Sequence, residues 1–61
     1  MEEKLKLFRS YLLRRQFELE KEYTVFLQSE DLGAALETSG EIRSLNQIIA
    51  NFENRFKDEL K

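Results

Sequence analysis

The residues best suited to chemistry are glutamates in two pairs, Glu18 with Glu22 and Glu37 with Glu41. Within each pair the spacing of four residues places both carboxylates on one face of a helix. Four carboxylates in a helical bundle can hold two metal ions, but such sites usually add His ligands. The chain contains no His and no Cys. We therefore interpret the pairs as solvated acidic side chains, and we predict no metal site and no cofactor.

The nucleophilic side chains lack the partners that would activate them. Serine hydroxyls occur at four positions, and no His is present to act as their general base. No glycine-rich loop that could bind phosphate is present either. We predict that the chain is not an enzyme and has no small-molecule substrate.

Basic side chains concentrate in the first quarter of the chain, where the segment 4–15 holds five bases and no acid. These bases are Lys4, Lys6, Arg9, Arg14 and Arg15. At 100° per residue they spread around a helix instead of lining one face, and the isoelectric point is about 5.1. Nucleic-acid binding is therefore not the favoured interpretation. Arg15 has three candidate roles: it pairs with Glu41, Glu18 or a glutamate of another chain, its stem lies along apolar surface with the charged head in water, or it fixes the register and oligomeric state of the helices.

The elements that must position these side chains follow from two hydrophobic repeats of seven residues. The first repeat is Leu5, Leu12, Leu19 and Phe26, and the second is Ala35, Ile42, Ile49 and Phe56. If the chain reverses near residue 30, these positions come level in pairs, from Phe26 with Ala35 to Leu5 with Phe56. This is the pattern of two antiparallel helices that share one seam.

We therefore predict an all-α, antiparallel two-helix hairpin of the helical coiled-coil type, which forms one domain over residues 1–61. Helix 1 is expected over about 2–28, a turn over 29–31 and helix 2 over about 32–59. Asp31 is the favoured N-cap of helix 2, with Ser29 as the alternative. Gly40 costs about 1 kcal/mol inside a helix, but the seven-residue count continues through it, so helix 2 is expected to be continuous.

The predicted hairpin core joins the two repeats to the apolar residues between them. It consists of Leu5, Phe8, Leu12, Leu19, Phe26, Ala35, Ile42, Leu45, Ile49, Phe52 and Phe56. Leu32 and Leu36 are expected to begin the apolar stripe of helix 2.

Large apolar residues remain beyond this core, and the sequence predicts a partner interface at Leu7, Tyr11, Leu13, Phe17 and Ile48. A chain of 61 residues buries little core of its own and, without Cys or His, has no disulfide or common metal site to stabilise it. We therefore expect either a homodimer, forming a four-helix bundle, or docking on a larger protein. The alternative is that these side chains lie flat on their own helices and bind nothing.

No apolar run approaches the length of a membrane span, and the segment 1–4 lacks the apolar stretch of a secretion signal. The expected location is the cytoplasm, or a virion assembled there.

The second half of the chain resembles small helical accessory proteins encoded among the structural genes of tailed phages. The resemblance lies in the segment 29–32 followed by Gly40, Ile42 and Leu45, which fit a turn and then a helix with Gly-x-Ile-x-x-Leu. It covers about half of the chain. It implies a role as a virion or head-assembly accessory protein.

The segment 39–43 also resembles the Ser-Gln-Glu-Leu-Asp signature of short two-helix phosphatases that act on aspartyl-phosphate response regulators in sporulation. Arg43 stands where that activity requires an acidic residue, so this resemblance implies the hairpin scaffold without the phosphatase activity.

These observations together favour a non-enzymatic interaction or assembly protein with a helical-hairpin scaffold. The alternative is a small regulator that binds a transcription factor, a kinase or a host defence protein. A third interpretation is a nucleic-acid-binding hairpin, similar to the plasmid copy-number hairpins that bind RNA loops.

Overall fold

The computed structural model describes residues 2–60 and confirms the predicted all-α helical hairpin. Helix α1 spans Glu2–Gln28, and helix α2 spans Leu32–Arg55. The two helices pack antiparallel in a rod of 43 × 16 × 13 Å. The predicted domain of residues 1–61 extends one residue beyond the described part at each end.

The seam between the helices holds the only hydrophobic residues that are buried within the described chain. They are Leu12, Leu19, Ala35 and Ile49. The other members of the two repeats, together with Leu45 and Phe52, are half-buried. Even the best-covered side chains retain some exposure. A single seam therefore encloses a core that is only one layer thick.

Two side-chain pairs fix the register of the helices. Arg9 contacts Glu53, and Gln16 donates a hydrogen bond to Asn46. These pairs lie on either side of Leu12 and Ile49 along the hairpin, three or four residues away on each helix. That placement agrees with the predicted pairing of Leu12 with Ile49.

Three predicted core or stripe positions are more exposed than the sequence indicates. Phe8 remains 48% exposed, although its ring meets that of Phe52 with the centroids 5.2 Å apart. The expectation that Leu32 and Leu36 begin the apolar stripe is wrong, because they are 70% and 75% exposed. Leu36 follows the buried Ala35 by one residue, so it points about 100° away from the seam.

Thr38 takes the seam position that the sequence analysis left empty. It is buried, and its hydroxyl donates a 2.9 Å hydrogen bond to the carbonyl oxygen of Ala34 one turn earlier. Since the polar atom is satisfied within its own helix, the methyl group can face the seam without cost from an unpaired donor.

The turn joins a helix stop directly to a helix start. The N–H of Asp31 donates to the carbonyl of Phe26 at 2.9 Å, and that of Glu30 to Leu27 at 3.2 Å. This is the Schellman arrangement, in which the residue after the C-cap adopts a left-handed conformation, and Glu30 has φ 61°. The side chain of Asp31 then accepts a 3.2 Å hydrogen bond from the N–H of Ala34. The predicted N-cap is therefore confirmed.

Helix α2 is continuous through Gly40, as predicted, but it ends at Arg55 and not near Glu59. The N–H groups of Glu59 and Leu60 both donate to the carbonyl of Phe56, at 3.1 and 3.0 Å. This turn brings the half-buried Leu60 beside Arg9 and Glu53.

Candidate interaction surface

Four aromatic rings form a chain across both helices near the open end of the hairpin. The rings of Tyr11 and Phe8 stack with centroids 6.5 Å apart, and Phe8 meets Phe52 at 5.2 Å. Phe52 in turn lies 5.1 Å from Phe56. Tyr11, at one end of the chain, is 64% exposed. Aromatic side chains bury large areas when a partner covers them, so this cluster suggests a binding surface for a partner.

A shallow groove of about 530 Å³ lies beside the cluster, towards the turn. Its lining residues come from both helices and are Arg15, Leu19, Gly40, Glu41, Ser44, Leu45 and Ile48. A Cβ built on Gly40 would meet nothing within 4 Å. The absent side chain at this position therefore leaves open space on the surface of α2 instead of a close helix–helix contact.

Arg15 borders the groove and contacts three carboxylates. Its guanidinium nitrogens lie 3.4 Å from Glu18, 3.7 Å from Glu22 and 3.9 Å from Glu41. The first role considered for Arg15 is thus observed within the chain, since it pairs with both glutamates named in the sequence analysis. Arg14 also lies 3.7 Å from Glu18, so two cations face three anions and the rim of the groove keeps a net negative charge.

We call this side of the hairpin the aromatic face, defined by Phe8, Tyr11, Arg15, Gly40 and Ile48. The spacing agrees with one face, because Phe8, Tyr11 and Arg15 follow one another at three and four residues. Contacts across the seam join it to α2, through Phe52 near the open end and Glu41 near the turn.

The other side of the seam, the polar face, is closed by hydrogen bonds between the helices. Its members are Arg9, Gln16, Asn46 and Glu53. The guanidinium of Arg9 places Nε 2.8 Å and Nη2 2.7 Å from the same carboxylate oxygen of Glu53. Gln16 and Asn46 form an amide pair one heptad closer to the turn. These polar side chains satisfy one another.

The structure divides the predicted partner interface among different surfaces. Tyr11 and Ile48 lie on the aromatic face, and the exposed Leu7 lies one turn before Tyr11. Phe17 is also exposed but lines a separate hollow with Lys21, whose ammonium lies 5.4 Å from the ring centroid. Leu13 is half-buried. Leu13 is therefore less available to a partner than the other four predicted residues, which are exposed.

The sequence analysis missed two contributors to the surface. Phe8 was assigned to the core, yet about half of it is exposed and it links Tyr11 to Phe52. Gly40 was considered for its effect on helix α2 and not as part of an open groove. A signal for both was present, because Phe8 and Tyr11 are three residues apart and Gly40 is eight residues before Ile48, close to two full turns.

The acidic pairs do not form a metal cluster in the described chain. Among residues 2–60, no group of three or more acidic, His or Cys side chains is arranged to hold an ion. Glu18, Glu22 and Glu41 instead surround a guanidinium, while Glu37 lies exposed on α2. Neither described helix contains a stretch apolar and long enough to cross a bilayer.

No protein-family model, curated protein or solved structure matches this chain. The resemblances to phage accessory proteins and to the two-helix phosphatases therefore stay predictions from the sequence.

Proposed function

We propose that this chain is a non-enzymatic protein–protein interaction module, which docks its aromatic face against another protein chain. The observation that carries the proposal is the exposed aromatic cluster beside an open groove, with both features spanning the two helices. Aromatic rings that are held by neighbouring rings lose little further conformational freedom on binding, so such a surface is suited to act as an anchor.

The ring contacts of the aromatic face support this proposal over the alternative of exposed rings that bind nothing. Phe8 contacts rings on both of its sides, and one of them belongs to the other helix. Phe17 fits that alternative better, because Lys21 already lies over its ring. The two exposed aromatics of α1, Tyr11 and Phe17, are therefore expected to behave differently.

The basic segment gives less support to nucleic-acid binding. Arg9, Arg14 and Arg15 each lie within 4.0 Å of a carboxylate. Phosphate contacts would have to replace these pairs. If the hairpin bound nucleic acid, affinity would fall steeply with salt and would drop further on changing Arg14 and Arg15 to Ala.

Assembly and regulation would use the same surface, and the sequence resemblance favours assembly in a phage particle. Neighbouring capsid or portal genes would support assembly, whereas a neighbouring repressor or kinase gene would support regulation.

The experiment that tests the module is affinity capture from cells of the native source, with tagged chain as bait and mass spectrometry as the readout. Tyr11→Asp is the test variant, and Phe17→Asp is the matched control, because the two aromatics are on one helix and are 64% and 61% exposed. We expect Tyr11→Asp alone to lose the captured chain, whether that is a different protein or untagged copies of this one. Equal capture by both variants would overturn the proposal.

A further inference from the structure

We propose that the partner of the aromatic face is a second copy of this chain, arranged antiparallel so that Tyr11 of each copy enters the groove at Gly40 of the other. This inference rests on the proposed function, because it names the occupant of the same face. It makes the assembly a four-helix bundle with two-fold symmetry.

The aromatic cluster and the groove lie at different positions along the hairpin. Tyr11 precedes the buried Leu12, whereas the groove is lined by Leu19 one heptad closer to the turn. One heptad corresponds to about 10 Å along the hairpin. A two-fold axis perpendicular to the rod and midway between the two features brings each Tyr11 opposite the other copy's groove.

A parallel arrangement would not match these features. A two-fold axis along the rod would place Tyr11 against Tyr11 and the groove against the groove. The open space at Gly40 would then stay unfilled, and two protruding aromatic clusters would hold the faces apart. Shape complementarity thus favours the antiparallel arrangement.

The distribution of charge along the hairpin also favours the antiparallel dimer. Lys4 lies one heptad before Tyr11, and Arg55 is on the last turn of α2, so both are near the open end. Glu22 and Glu37 lie near the turn. In an antiparallel dimer the open end of one copy meets the turn end of the other, which brings these bases to these acids.

A parallel dimer would instead place the Glu18, Glu22 and Glu41 cluster of one copy against that of the other. Each cluster holds three carboxylates against two guanidiniums, those of Arg14 and Arg15, and so keeps a net negative charge. Like charges that face each other across an interface are unfavourable. Charge therefore selects the same arrangement as shape.

The accessible surface area of the hairpin also favours a dimer. The hairpin exposes 5090 Å², whereas a monomeric globular protein of 7.3 kDa exposes about 4200 Å². The excess of about 900 Å² is close to the roughly 800 Å² that each partner buries in a stable interface of standard size. A second copy offers an equal surface and is present whenever the chain is made.

Pulsed electron–electron double resonance on the whole chain tests the antiparallel arrangement of the two copies. The sequence has no Cys, so Gln28→Cys, at the end of α1, gives a single spin-label site near the turn. The antiparallel dimer predicts a distance between labels on the order of 40 Å, because the two sites lie near opposite ends of the bundle. Lys6→Cys, near the open end and outside the proposed contacts, is the second site and predicts a shorter distance, on the order of 30 Å.

Variants in the labelled background identify the face. Tyr11→Asp should abolish the dipolar signal, whereas Phe17→Asp should leave both signal and distance unchanged. A distance below about 20 Å between the labels at position 28 would mean that the two turns are level and would overturn the antiparallel arrangement. Loss of signal in both variants, or persistence in both, would remove the aromatic face as the dimer interface.

The inference and the proposed function fail in different ways. A chain that gives no dipolar signal, yet captures a different protein in a manner that depends on Tyr11, overturns the dimer and leaves the module standing. A chain that shows neither behaviour overturns both.

Discussion

The two sides of this hairpin share one seam but differ in how they treat their polar and apolar groups. On the polar face, Arg9 pairs with Glu53 and Gln16 pairs with Asn46, so the bonds run from helix to helix within the chain. On the aromatic face, the side of Tyr11 and Gly40, rings and a groove remain open to solvent. The difference supports the proposal that a partner completes the aromatic face, whereas the chain itself completes the polar face.

The same contrast applies to charge. Arg9 and Glu53 form a pair with no excess charge. Arg14 and Arg15 contact three carboxylates between them, so their surroundings keep a net negative charge. An incomplete charge pattern beside an uncovered apolar surface is what a docking surface needs, because charge then orients the partner that the apolar contacts hold.

The largest expected effect comes from the seam on which both faces depend. Leu19→Ala should cost about 2–5 kcal/mol of the free energy of unfolding, because it removes a buried side chain and leaves a cavity. Urea titration followed by far-ultraviolet circular dichroism measures this loss. Leu36→Ala is the control and should change stability by less than about 0.5 kcal/mol, since Leu36 lies outside the seam. Similar losses in both variants would contradict the assignment of the seam.

Much of this architecture could be predicted because seven-residue spacing reports directly on which side of a helix is buried. The spacing gave the hairpin, the turn, Asp31 as the cap and continuity through Gly40. It could not place Thr38, because the bond from its hydroxyl to Ala34 is a local contact that hides its polarity. The expectation for Leu36 was wrong because it rested on residue type. The seam passes through Ala35, one residue earlier, and Leu36 is exposed.

The candidate surface was harder to predict than the fold. Phe8 fits the seven-residue pattern only loosely, and its half-exposed position depends on how the ring of Phe52 packs against it. The division of Tyr11 from Phe17 depends on the contact with Lys21 and on the position of the second helix. Spacing alone does not contain this tertiary information.

A sharper test of the aromatic face is Gly40→Ala, which should affect folding and association in opposite directions. The added methyl group meets no atom within 4 Å in the single chain, so the free energy of unfolding should rise by about 1 kcal/mol. The same methyl group narrows the proposed binding groove, and overpacking of about 1–3 kcal/mol should weaken association at least several-fold. Thermal unfolding of the dilute chain and sedimentation velocity measure the two effects.

Gly33→Ala is the matched control for Gly40→Ala, because Gly33 is also within α2 but does not line the groove. It should leave association unchanged while raising stability. Equal association of the two variants would show that the groove at Gly40 takes no part in docking.

The turn offers a change that should leave both faces intact. Glu30 has φ 61°, a left-handed conformation that costs a residue with a Cβ about 1 kcal/mol. Glu30→Gly should therefore raise the melting temperature, measured by circular dichroism, without altering the oligomeric state. A lower melting temperature would contradict the Schellman geometry of the turn.

The smallest expected effect is on the polar face. Glu53→Gln removes the charge from its pair with Arg9, whose side chains are both about 40% exposed, so the loss should be at most about 1 kcal/mol. Chemical denaturation in low and high salt measures it, and the difference from wild type should shrink in high salt. A change in oligomeric state would contradict the assignment of this face as internal to one chain.

Sedimentation equilibrium of the unmodified chain at micromolar concentration tests directly whether a second copy completes the aromatic face. The account predicts a concentration-dependent species of twice the 7.3 kDa chain mass, with dissociation on dilution. A folded monomer at every concentration, with a sharp melting transition, would contradict the claim that a second copy completes the aromatic face.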